Sequence, residues 1–163
     1  MPSLHGEDYY TWKGRYAVNA MVICDHLKKI RLIYSGWPGS AHDERVLTNS
    51  KLYQQIEVMA DSKQYILADS AYTPHCRIIP PFKKYSRELS HQQERFNLKI
   101  SQAQICIELF IRMLKARFQC LKELRVSASC RKNAKRVVDQ IDCCAIVHNI
   151  CIEMSNDPVE EDW

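Results

Sequence analysis

The hydrophobic period changes once along these 163 residues, from two to about 3.6, and that change limits the folds open to the chain. Residues 15–24 alternate, with Tyr16, Val18, Ala20, Val22 and Cys24 on one face. A polar turn at 25–29 leads into a second β-rich run at 30–35, so the pair predicts an antiparallel hairpin. Gly36, Pro38 and Gly39 then predict a loop, and Ser40 or Asp43 is placed to cap a short helix starting near Glu44. A short strand is expected at 65–68, ending at Asp69. Pro74, Pro80 and Pro81 make 73–89 irregular. From Ser90 onward the period is helical. Residues 101–118 are apolar on most sides (among them Ile105, Leu109, Phe110, Ile111 and Leu114), which predicts a buried helix, and a further helix is expected over 133–154. Strands first and helices after indicate a mixed α/β or α+β domain over 1–155 with an acidic tail at 156–163.

Composition removes several classes. With 4 Gly, 6 Pro and 46% hydrophobic residues, the chain is neither collagen-like nor wholly disordered. No uninterrupted apolar run reaches membrane-spanning length and residues 1–8 do not resemble a secretory leader, so an intracellular protein is expected. The 8 cysteines include no Cys-x-x-Cys pair, and reduced thiols are expected. Cys144, His148 and Cys151 share a helical face and form a candidate zinc site; the same positions also suit small core residues.

The net charge of +4 conceals a gradient. Between Arg112 and Arg136 stand nine Lys or Arg against the single acid Glu123, a local net of +8 that leaves −4 for the rest. Such a stretch neutralises phosphates; a solvated helix face followed by a basic loop explains it equally well. Tyr9, Tyr10 and Trp12, beside Lys13 and Arg15, suit either base stacking or strand packing.

Three acids stand out. Glu108 lies in the most apolar helical stretch, where a carboxylate is costly unless paired, and Arg112 at i+4 offers an ion pair. Asp69 closes a short apolar strand, a position that in α/β sheets faces a functional crevice and that also suits a turn. Asp43 precedes a helix as a cap or first-turn acid. Spacing alone does not show whether the three converge.

At these residues the chain resembles a known family. Asp8-Tyr9-Tyr10 with Lys13-Gly14, the run from Gly36 through His42-Asp43, Leu67-Ala68-Asp69-Ser70-Ala71-Tyr72, Glu94-Arg95-Phe96-Asn97, Glu108 with Leu114 to Phe118, and His148-Asn149 follow in order. Together they are similar to the nuclease domain of PIF/Harbinger transposases over about residues 8–150. The resemblance implies an RNase H-like fold, a mixed sheet with flanking helices. It also implies acidic residues, here Asp43, Asp69 and Glu108, that bind a divalent cation (Mg²⁺ or Mn²⁺) for phosphodiester cleavage and strand transfer in DNA. Arg112 would then orient Glu108. Lys115, Arg117, Lys122, Arg125, Arg131 and Lys132 would hold DNA phosphates.

The family's first catalytic Asp lies on a strand whose counterpart would precede Met1. The stretch given is therefore expected to lack the first strand, to have an incomplete metal cage, to be poorly stable and to show little nuclease activity. The family's DNA-binding helices are likewise not expected within this stretch, so target choice is expected to come from elsewhere, such as a separate DNA-binding accessory protein. No membrane association is expected, and a DNA substrate implies the nucleus, with the cytoplasm open. The competing reading is a non-catalytic DNA- or protein-binding module derived from a transposon.

Overall fold

The computed structural model describes residues 9, 17–59, 64–84, 88–122 and 131–154, with side chains of 57–59 and 131–134 outside the description. It is a mixed α/β structure with strands β1 (Val18–Cys24), β2 (Ile30–Pro38), β3 (Ile66–Leu67) and β4 (Ile78–Ile79) and helices α1 (Asp43–Thr48), α2 (Lys51–Met59), α3 (His91–Arg117) and α4 (Arg131–Met154). Two compact units divide the chain, one of Met1–Ala41 with Phe110–Trp163, the other of His42–Leu109.

In the first unit β1 and β2 form the predicted antiparallel hairpin. Asp25 builds its turn: one carboxylate oxygen accepts from the Leu27 and Lys29 amides, each at 3.0 Å, while Lys28 takes a positive φ of 61°. β2 runs on to Pro38, three residues past its predicted end and into the predicted loop. Gly36 explains the difference. The register passes from Ala20 opposite Ser35 to Asn19 opposite Trp37, so Gly36 is the extra residue of a β-bulge, and its φ of 103° suits glycine. A Cβ there would also come within 3.0 Å of a Val138 methyl. The glycine bends the strand and lets pairing continue.

α4 packs on β2. Its buried stripe is Val137, Ile141, Cys144, Ala145 and His148, an amphipathic spacing that meets Met21, Ile30, Phe110 and Leu114 in the same core.

In the second unit α1 follows an extended His42, whose side chain makes no capping bond, so neither Ser40 nor Asp43 is the N-cap; Asp43 is the first helical residue. Ser50 links α1 to α2, its hydroxyl donating to the Leu47 carbonyl at 2.6 Å and accepting from the Tyr53 amide at 3.2 Å. β3 and β4 pair in parallel, Ile66 opposite Ile78 and Leu67 opposite Ile79. β4 lies in the segment expected to be irregular; a tight reciprocal pair of backbone bonds between His75 and Ile78 returns the chain after Pro74. Val46, Leu47, Leu52, Ile56, Ile78 and Ile100 form the core. Ser90 and Gln93 cap α3 reciprocally, the Gln93 amide donating to the serine hydroxyl and the Ser90 amide to the Gln93 side-chain oxygen.

Two expectations change. Among the described residues the strands form two small sheets, one antiparallel and one parallel, and not one mixed sheet. Local turns determine each pairing, whereas strand order across a sheet depends on contacts distant in sequence. The helix predicted as buried is amphipathic in place: Ile100, Phe110 and Leu114 are buried, while Ile105 and Leu109 lie on the opposite side and are 54% and 46% exposed.

Candidate functional site

The acids singled out in the sequence all belong to the second unit. Asp43 opens α1 and is exposed, and Glu44 follows, its carboxylate accepting from the Thr73 amide at 2.8 Å. Asp69 stands just past β3, exposed, with its carboxylate accepting from the Ser70 amide and its carbonyl from the Tyr72 amide at 3.1 Å. α3 supports this turn through Gln104, whose side-chain amide donates to the Ala68 carbonyl at 3.2 Å.

Tyr72 joins these pieces. Its phenol is half-buried and its pKa is pushed from 10.0 up to about 12, first by burial and then by the negative charges of Asp43, Asp69 and Glu44. One hydroxyl thus lies in the combined field of three carboxylates, two in the first turn of α1 and one just past β3. It stays protonated near neutrality and is available as a donor beside them.

Glu108 is placed differently. It is exposed on α3, and the predicted ion pair with Arg112 is not among the ion pairs of the described residues. A helix side facing solvent asks for no partner, so the burial argument that singled it out does not apply. Among the described residues no group of three or more His, Cys, Asp or Glu side chains is arranged to hold a metal ion. The structure brings Asp43 and Asp69 to one phenol and does not add Glu108 to them. The oxygen-only donors Asp43, Glu44 and Asp69 are nonetheless of the chemical type that Mg²⁺ and Mn²⁺ prefer.

Of the basic candidates, Lys115, Arg117 and Lys122 are exposed. Arg125 and the side chains of Arg131 and Lys132 lie outside the described residues, as do Tyr10, Trp12, Lys13 and Arg15. Arg117 also has a structural task, donating to Nδ1 of the fully buried His148 at 3.3 Å. His148 Nε2 donates to the Lys28 carbonyl at 3.0 Å. Both ring nitrogens are therefore engaged, and a guanidinium on one side with a carbonyl on the other selects the neutral Nε2–H tautomer. Burial, with Arg117 adding to it, holds the His148 pKa below its ordinary 6.5 despite the Lys28 carbonyl. Two members of the candidate zinc triad are thereby committed elsewhere, His148 to Arg117 and the Lys28 carbonyl and Cys144 to Cys120. Beside it Asn149 brackets Ile30, accepting from its amide at 2.8 Å and donating to its carbonyl at 2.9 Å.

Sequence reasoning missed Glu44 and Tyr72 as parts of the site. Their signal was adjacency: Glu44 follows Asp43, and Tyr72 lies three residues after Asp69 in the same short motif.

The DDE superfamily endonuclease profile matches residues 1–149. The chain belongs to that family. Among curated proteins it is 27% identical over 156 residues to "Putative nuclease HARBI1" of Rattus norvegicus and 26% identical to the Homo sapiens protein of that name, each covering 96% of this chain and 43% of the relative. It is 23% identical over 159 residues to "Protein ALP1-like" of Arabidopsis thaliana, covering 90% of this chain and 38% of the relative. The chain therefore spans less than half the length of these relatives. No solved structure gives a significant match.

Proposed function

We propose that this chain is the Harbinger-type nuclease part of a DNA-acting protein, with Asp43 and Asp69 as its principal acidic groups, Glu108 as the third acid by family resemblance, and an RNase H-like origin for its fold. The observation that supports this reading is the Tyr72 phenol, whose pKa is raised by burial and by the negative charges of Asp43, Asp69 and Glu44. A bound Mg²⁺ or Mn²⁺ would supply charge neutralisation and an activated oxygen nucleophile. The protein's own contribution is to present carboxylates from the first turn of α1 and from the turn after β3. Tyr72 keeps a protonated hydroxyl beside them, able to donate to a phosphate oxygen. Lys115, Arg117 and Lys122, with Arg125, Arg131 and Lys132, supply phosphate contacts, and a DNA substrate places the protein in the nucleus.

The test is a Mn²⁺ titration near neutral pH, followed by the loss of the free-ion paramagnetic signal and paired with cleavage of supercoiled plasmid DNA. Wild type is expected to bind Mn²⁺, and Asp69→Asn to weaken that binding at least about tenfold and to abolish any cleavage. If wild type and Asp69→Asn hold DNA equally well in Mg²⁺ and in a chelator, and neither binds Mn²⁺, the nuclease reading fails. The module that binds DNA without cutting it then takes its place.

A further inference from the structure

We infer that Cys120 and Cys144 form a peroxide-oxidisable dithiol, a modification site that closes into a disulfide between the turn after α3 and helix α4. Their sulfurs lie 3.8 Å apart, although the residues are 24 positions apart in the chain. A disulfide needs about 2.05 Å, a difference that a side-chain rotation at an exposed residue can cover. No disulfide joins the described cysteines.

The two thiols are unequal in a way that assigns their roles. Cys120, on the one-turn helix Gln119–Leu121, is exposed and meets oxidant from solvent. Cys144 is buried in the α4 stripe at 7% exposure. Its thiol is pushed up to about 11, chiefly by burial and also by the neighbouring Cys120 and Cys143 thiols, so it stays protonated near neutrality and leaves Cys120 as the first to meet oxidant. The position is also braced. Arg117, three residues before Cys120, donates to His148, four residues after Cys144, so a polar rung already ties the same two segments together.

The oxidant is a hydroperoxide, and the step balances as follows. The Cys120 thiolate attacks one peroxide oxygen, the O–O bond breaks, and the departing alkoxide or hydroxide takes up a proton, leaving a sulfenic acid. Cys144 sulfur then attacks the Cys120 sulfur, the S–S bond forms, and the displaced hydroxide leaves as water with the Cys144 proton. Two thiols are oxidised by two electrons, and one peroxide is reduced to water and an alcohol, or to two waters. Cys143 is the natural competitor, being exposed and adjacent to Cys144.

The experiment treats the full chain with graded hydrogen peroxide, blocks remaining thiols with an alkylating reagent, and reads intact mass and non-reduced peptide maps. Expected are a loss of about two mass units, one peptide pair linking Cys120 to Cys144, and reversal by dithiothreitol. Oxidation should also raise the melting temperature by about 5 °C. Cys120→Ser, a change at an exposed position, should abolish both the link and the shift, and Cys143→Ser should preserve them. A Cys120 that advances to sulfinic acid, or pairs with Cys143, while Cys144 is alkylated after unfolding, overturns the inference.

Discussion

The region where α4 meets the hairpin and the region around Tyr72 both gather polar groups, and they treat them in opposite ways. Against α4, His148 is buried completely and both of its nitrogens have partners, while Asn149 satisfies both backbone groups of Ile30. Around Tyr72, Asp43 and Asp69 are exposed and their charges accumulate on one phenol. Polar groups that are buried and matched hold a fold together, whereas exposed acids of like charge act on the groups around them through their summed field. His148 and Asn149, which match a family motif, thus read as architecture, and Asp43 and Asp69 are the acids to which the proposed function assigns chemistry.

The comparison breaks first at Phe110, which is fully buried and meets the His148 ring edge-on at a centroid distance of 5.2 Å. Phe110→Ala should cost about 3–5 kcal/mol by denaturant unfolding. A cost below about 1 kcal/mol would mean that this core is not the one described. Next comes Asn149→Ala, which leaves the Ile30 amide and carbonyl unmatched and should cost about 1–3 kcal/mol in the same measurement.

A smaller effect comes from acid. His148 has a folded pKa below its ordinary 6.5, so the unfolded chain binds the proton more readily. The stability this contributes is present above 6.5 and is lost as pH falls through the lowered folded value. Unfolding midpoints measured from neutral to mildly acidic pH should fall, and His148→Gln should flatten that dependence.

The smallest effect on stability sharpens the other side. Asp43→Asn should change stability by no more than about 0.5 kcal/mol, because the side chain is exposed. It should nevertheless move the Tyr72 phenol part of the way back from about 12 toward 10.0, read as tyrosinate absorbance after a rapid alkaline pH jump. The return is partial because burial is the larger cause. With the folded value raised, Tyr72 contributes stability that is intact below 10.0 and lost as pH rises toward about 12. An unchanged phenol in Asp43→Asn would separate Asp43 from the cluster.

Sequence alone determined the hairpin, the short strand before Asp69, the helix from Ser90 and the existence of α4, because each is a local period that neighbouring residues impose on one another. It also placed Asp43 and Asp69 as acids at the edges of elements, and family motifs in order pointed to the DDE superfamily that the profile match then established. Tertiary structure alone decided that Gly36 continues a strand as a bulge, that Ile105 and Leu109 face water, and that His148 is a latch and not a ligand. It alone drew Tyr72, Asp43 and Glu44 together and set Cys120 against Cys144. The physical reason is range. The latch joins residues 119 and 120 positions apart, and no local period reports which distant groups a folded chain will bring into contact.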